Sequence, residues 1–458
     1  MAINLSRNTR AWFTTNVNAV TGVVQTTGFT SANTVEFQVL DGYSFNQQTN
    51  QQTITLSEAG GDPVRGQRSF NTALNPVDFS MSTYLRPILS GGQVAPVERV
   101  LWNALFSPTN LDATGYTAVS ASTITRASST APQVTNIQYT AAAAPAIGSY
   151  LNLGGYPSDS WNAPVKVTSA TLVGGVVTAN GIYVKAPTSG TSVAAGASSK
   201  VYTGAWGQNG TAFSYVSSAP SNKNQLQKFG LVFLVDNVYY TIDNCSMNQA
   251  TIDFGLDAIS MVAWTGNGTR VNTQTAALDM SSAAAYSSSA NYITNKLSTV
   301  TLVSNIGGQG GTSYTVPLTG GSITFNNNIS YLTPENLGVV NNPIGYYTGT
   351  RAITGTMNAY LRTGSTGDTG QLMTDVLAGA TTNADNKYKL QFEIGGSTNP
   401  VKVEIDLEGC MLQLPTVEIA DVVSTTINFT AQGSDPTLAN NAYDITNANE
   451  AIIKYYSA

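Results

Sequence analysis

Residues 238–268 read VYYTIDNCSMNQATIDFGLDAISMVAWTGNG, and residues 403–433 read VEIDLEGCMLQLPTVEIADVVSTTINFTAQG. At a fixed offset of 165 residues Cys245 falls on Cys410, Thr251 on Thr416, Asp253 on Glu418, Trp264 on Phe429 and Gly268 on Gly433. The chain's two cysteines are thus one position met twice. In the first stretch Val238, Tyr240 and Ile242 alternate with Tyr239, Thr241 and Asp243. In the second, Val403, Ile405 and Leu407 alternate with Glu404, Asp406 and Glu408. A period of two whose phase survives in both copies marks strands with one buried and one wet face. Recurrence at a fixed spacing marks an internally repeated unit.

Other segments keep the order of that repeat. NYITNKLSTVTL (291–302) echoes the strand-like 4–14. ITFNNN (323–328) echoes YSFNQQ (43–48), with Phe45 over Phe325. GTMNAYLR (355–362) echoes FSMSTYLR (79–86), with Met81 over Met357, Tyr84 over Tyr360 and Arg86 over Arg362. PVERVLWNALF (96–106) opens with proline and has a helical apolar stripe, and GQLMTDVLA (370–378) matches it. Between strands lie two long Gly/Pro-punctuated loops, Glu58–Pro76 and Pro334–Arg351. The first carries Glu58, Asp62, Arg65 and Arg68, a mixed-charge set suited to fixing register against a complementary surface. From Arg86 to Cys245 is 159 residues and from Arg362 to Cys410 is 48, so the first copy holds 111 more. Strand-like runs such as IGSYLNLGG, APVKVTSATLV and GIYVKAP make that surplus an inserted β-domain. The expected organisation is copy 1 in 1–110 and 211–270, an insert in 111–210, a linker in 271–290 and copy 2 in 291–458.

Composition narrows the function. Hydrophobic residues make up 42% of the 458 and charged ones only 10%, against ~25% in an average soluble domain. Low charge favours self-association. A net charge of −6 argues against gripping nucleic acid through its phosphates. There is no histidine, which removes the commonest general base and metal ligand. Two cysteines give no disulfide framework and no zinc cluster, and they read as packing thiols at strand ends. The acidic alternation at Glu404, Asp406 and Glu408 reads as a solvated strand face, including an acidic wall around water. No catalytic, cofactor-binding or metal site is expected. The N-terminus lacks the apolar core of a secretory signal, and no run is long enough for a membrane helix.

RNTR (7–10), EAGGDPVRGQRSFNTALNPVDFSMSTYLRP (58–87), LWNAL (101–105), the 240–268 stretch and GGSITFNNNISYLTPENLG (320–338), in that order, resemble the major tail tube proteins of long-tailed bacteriophages. The form is the fused-duplicate one of T-five-like siphophages. The resemblance covers residues 1–110 and 220–435 and leaves out the insert. It implies a mainly β fold of two tandem tail-tube-fold β-sandwich or barrel units, each with one short helix and a long loop, plus the inserted small β-domain. It implies a structural virion protein, not an enzyme, made in the bacterial cytoplasm. Homotrimers would form pseudo-hexameric rings stacked into a tube that delivers DNA. The implied partners are the chain itself, the tape measure protein and DNA in the lumen, the tail terminator, baseplate or distal tail proteins, and a sheath in contractile tails, with no membrane insertion and no cofactor.

On this reading Asp243, Asp253, Glu404, Asp406, Glu408 and Glu418 face the lumen, and Glu58, Asp62, Arg65 and Arg68 contact the next ring. A phage fibre or spike that binds glycans is the alternative. An outer-membrane porin would need a signal and aromatic girdles.

Overall fold

A computed structural model describes residues 9–55, 67–90, 93–106, 114–203, 206–208, 212–216, 226–256, 258–274, 276–285, 291–304, 311–382, 387–396, 398–419, 422–433 and 450–457. The Val238–Gly255 strand organises it. Its first half pairs with Phe229–Val235 and Arg270–Gln274, and its second half with Met261–Gly268 and Leu318–Asn326. One strand therefore serves two sheets. The corner falls at Asn244, which takes a left-handed φ of 47° that asparagine tolerates better than most residues. In the second copy the equivalent path is cut into Lys402–Leu412 and Thr416–Glu418. Pro415, which has no N–H for the ladder, lies in the gap.

The inner sheet runs, strand beside strand, through Ser44–Asn46, Val77–Tyr84, Met261–Gly268, the second half of Val238–Gly255, Leu318–Asn326, Ala352–Tyr360 and Ser424–Ala431 to the Cys410–Leu412 and Thr416–Glu418 pieces, all antiparallel. Its first four strands come from copy 1 and its last four from copy 2. The two halves meet in seven continuous pairs from Gln249↔Asn326 to Gly255↔Gly320.

The copies match strand for strand, but two sequence echoes slip by two residues. Phe45 lies opposite Phe79 whereas Phe325 lies opposite Ile353, so Ser44 corresponds to Ser322 and Phe45 to Ile323. Trp264 lies opposite Met81 and Ile427 opposite Met357, so Trp264 corresponds to Ile427, not to Phe429. The physical cause of the second slip is hairpin length: Asp253 pairs with Met261, while Glu418 pairs with Ser424.

Behind the inner sheet each copy has an outer sheet. In copy 1 it comprises Thr34–Phe37, Thr9–Thr14, Phe229–Val235, the first half of Val238–Gly255 and Arg270–Gln274, a strand where a linker was expected. In copy 2 it comprises Ser313–Thr315, Thr299–Ser304, Tyr388–Ile394, Lys402–Leu412 and the C-terminal Ile452–Tyr456, extended by Ala212–Val216 and Trp206–Gln208. A single core lies between the layers and crosses the seam. Trp102 of α1 (Arg99–Phe106) packs edge-on against Trp264 of its own copy at 4.8 Å and Phe325 of the other at 5.5 Å. α2 (Thr369–Thr382) buries Leu372 and Val376 in the same core. Asp368 caps it, accepting from the Gln371 N–H at 2.8 Å. Cys245 and Cys410 are both free and buried.

The surplus of copy 1 forms its own eight-stranded sheet between Thr114 and Thr203, with its own apolar core. A bridge between Ala118 and Tyr139 brings its first strand, Thr114–Thr117, back onto Gln133–Thr140, closing the sheet as a small barrel. The barrel reaches copy 2 through Lys185, which pairs with Glu404 and Asp406, and through Tyr150 and Val184 on Ile452.

The two expected loops are hairpin arms. Thr49–Thr55 pairs with Gln67–Leu74, and Ile329–Leu332 with Gly345–Thr348. The arms touch where the Leu74 N–H donates to the Asn341 carbonyl at 2.8 Å.

Candidate conduit face and the buried ion cluster

On the inner sheet, alternation sends Phe79, Met81, Trp264, Ile252, Phe254, Ile323, Phe325, Ile353, Met357, Ile427 and Phe429 into the core. The opposite face carries Ser44, Asn46, Asp78, Ser80, Ser82, Thr265, Asn267, Gln249, Thr251, Asp253, Ser322, Thr324, Asn326, Thr354, Thr356, Asn358, Thr426, Asn428, Thr430 and Glu418. No lysine or arginine occurs in any of its strands, and its only charges are Asp78, Asp253 and Glu418.

The polar groups satisfy one another across the ladder. Ser44 and Ser80 hydroxyls lie 2.8 Å apart, Thr251 and Thr324 hydroxyls 3.1 Å apart, and the Gln249 amide donates to Thr251 at 3.0 Å. Thr426 donates to the Asn358 amide oxygen at 3.0 Å, and the Asn267 amide to Asp78. The result is a polar surface with no cation to hold a phosphate.

Of the six acids expected to face a lumen, only Asp253 and Glu418 lie exposed on this face. Asp243, Glu404, Asp406 and Glu408, expected at a wet face, are instead buried. They sit on the first halves of their strands, in the outer sheets, so the face opposite the core points away from the inner sheet. There other parts of the chain cover them. Asp243 accepts from the Val24 N–H at 2.9 Å and from the Asn272 amide; burial pushes its carboxyl up, and these bonds oppose the shift.

The other three form an ion cluster. Asp406 takes the Lys185 ammonium of the inserted barrel at 2.7 Å and Lys454 of the C-terminal strand at 3.3 Å. Glu404 takes both lysines at 3.3 Å and the Tyr456 hydroxyl at 3.3 Å. Glu408 pairs with Lys389 at 2.8 Å. Burial pushes Asp406 up to about 6 despite the lysines. For Glu404 burial also opposes ionisation, but Lys454 and Lys185 outweigh it and hold the carboxyl below its usual range. Tyr150 and Val184 of the barrel close over Ile452 beside this cluster. Positions 404 and 406 correspond to Tyr239 and Thr241 in copy 1, so the two acids that meet Lys185 have no acidic counterpart there.

The lysines were missed in the sequence. Their signal was there: GIYVKAP and AIIKYY each place one lysine in an otherwise largely apolar run. Of the four expected ring contacts, Glu58, Asp62 and Arg65 lie outside the described residues. Arg68 is exposed on the first arm, its guanidinium 4.9 Å from the centre of the Phe70 ring. Among the described residues no group of His, Cys, Asp and Glu could hold a metal ion, and no helix is long and apolar enough to cross a membrane.

The mainly β fold, with an inner sheet that presents one open polar face, is consistent with a β-rich bacteriophage tail tube protein. The sequence is 27% identical to tail tube protein pb6 of Escherichia phage T5 over 448 residues, covering 95% of this chain and 74% of the T5 protein, a likeness that supports a T5-like tail tube protein with a structural role in the phage. No family model matches it.

Proposed function

We propose that the polar face of the inner sheet lines the bore of the tail tube, and that three chains close edge to edge into a pseudo-hexameric ring. The observation that carries this reading is the seam. Copy 1 joins copy 2 by pairing the strand holding Thr251 and Asp253 with the strand holding Thr324 and Ser322. The same two kinds of strand stand at the ends of the sheet: Thr416–Glu418 at one, Ser44–Asn46 at the other. Among the described residues neither has a second neighbour.

Repeating the seam between chains places Glu418 opposite Ser44 and Thr416 opposite Asn46. Three eight-stranded sheets joined this way close a barrel of about 24 strands and leave no sheet edge open. A head-to-tail contact that closes by rotation gives a ring. The bore is then neutral to acidic, so DNA and a tape measure protein slide past it without being held.

The two hairpin arms leave the same end of the sheet and are placed to reach the next ring, with Arg68 among their contacts. The barrel decorates the outside. Assembly takes place in the host cytoplasm, with terminator and distal tail proteins at the tube ends. Electron microscopy of the purified protein tests this reading. Rings or tubes of three-fold chemical symmetry support it, and a chain that never polymerises, even on a tail nucleus, counts against it.

A further inference from the structure

We propose that Lys185 and Asp406 become joined by a self-catalysed isopeptide bond that staples the inserted barrel to the second copy, with Glu404 as the proton shuttle. The geometry brings together the parts such a bond needs. The Lys185 Nζ lies 2.7 Å from Asp406 Oδ1 and 3.3 Å from Glu404 Oε1, so the nucleophile touches both the electrophile and a base. The two carboxyl side chains are buried, Asp406 2% and Glu404 9% exposed, and the Lys185 side chain reaches them from the rim, 28% exposed. Ile452 is the ladder partner of Asp406, and Val184 precedes Lys185, so apolar groups flank both ends of the bond.

The chemistry balances without an outside reagent. The Lys185 ammonium gives one proton to Asp406 across their 2.7 Å contact, and burial favours that protonated carboxyl. The free Nζ attacks Cγ of the neutral carboxyl. Glu404 takes the second Nζ proton and delivers it to the departing hydroxyl, and one water leaves as the Nζ–Cγ amide forms. The charge count supports the product. Two ammoniums and two carboxylates share this buried volume, and desolvating each ion costs several kcal/mol. The bond removes one of each and leaves Lys454 paired with Glu404 alone.

The partners also come from separate modules. Lys185 lies just past the last residue of the Val176–Tyr183 strand of the barrel, and Asp406 lies within the outer sheet of copy 2. Copy 1 has Thr241 at the position equivalent to Asp406.

Intact-mass spectrometry of the full-length protein under denaturing conditions tests this. The expected mass is short of the sequence mass by one water, with a branched peptide joining the segments around Lys185 and Asp406 after proteolysis. Lys185→Arg keeps the ion pair and should restore the full mass, and Glu404→Gln should leave most molecules unbonded. Wild-type protein at its full sequence mass overturns the proposal, as does a deficit that survives Lys185→Arg.

Discussion

Phe79 lies directly across the inner sheet from Gly266, whose missing side chain makes room for the ring. A Cβ there would come 2.4 Å from Phe79 Cζ and 2.5 Å from the Ser246 carbonyl oxygen. Copy 2 fills the same space from the other strand: Gly355 faces Phe429, and a Cβ on Gly355 would come 2.3 Å from that ring. Gly266→Ala and Gly355→Ala should each destabilise the chain by about 1–3 kcal/mol through overpacking against ring and backbone. Thermal unfolding measures this. Each loss should shrink when the facing phenylalanine is also cut to leucine.

These pairs show what the sequence could and could not reveal. Alternation assigned the core face of each strand, because that face must be apolar. It could not fix register across the two copies. A slip of one residue turns every side chain over, but a slip of two leaves each on its own face. Trp264 therefore aligned with Phe429 by eye, while the ladder equates it with Ile427. Alternation also separates core from non-core without saying what covers the non-core side. Glu404, Asp406 and Glu408 do point away from the core, but a barrel inserted more than 200 positions earlier lies on that side, and a local pattern carries no trace of such a contact. The polar face of the inner sheet was legible in another form, as serine, threonine and asparagine at alternate positions in strands without a single lysine or arginine.

Glu98 predicts a pH dependence. It is fully buried, accepts the Tyr455 hydroxyl at 2.7 Å, and is pushed up to about 7, chiefly by burial. Its folded value lies above the unfolded one, so the unfolded chain loses this proton first as pH rises. The carboxyl therefore costs stability progressively between pH 4.5 and 7, by about 3 kcal/mol in all. Below that window the cost is absent, and above it the cost is constant. Glu98→Gln cannot titrate, so its stability relative to wild type should improve from pH 4.5 to pH 7 and then level off in denaturant melts.

Lys454 is the buried cation shared by Glu404 and Asp406. In the Lys185→Arg chain, where Asp406 keeps its carboxylate, Lys454→Met should cost about 3–5 kcal/mol by leaving buried carboxylates short of a partner. Asp406→Asn added to it should recover part of the loss. Urea unfolding of the single and double variants measures both, and additive losses would contradict the shared cluster.

The charge pattern of the inner face predicts how tubes treat DNA. Thr251 is half-buried on that face, and Thr251→Lys should change folding stability by no more than about 0.5 kcal/mol. Tubes built from it should retain DNA at low salt and release it as salt rises, because every ring adds phosphate contacts. Wild-type tubes should pass DNA freely, and a lysine variant that behaves like wild type would remove this face from the bore.

The central claim is that the intramolecular seam recurs between chains. Asp253 opposite Ser322 within one chain requires Glu418 opposite Ser44 across the ring. These residues stand at opposite edges of the same sheet, so a bond between them must join two chains, and directly opposed strand residues come within disulfide reach. The test is mild oxidation of assembled Ser44→Cys/Glu418→Cys protein, followed by a non-reducing denaturing gel. A covalent ladder that ends at a closed trimer is the predicted result. Chains that stay monomeric while tubes are present, or a ladder that runs on past three, would contradict the account.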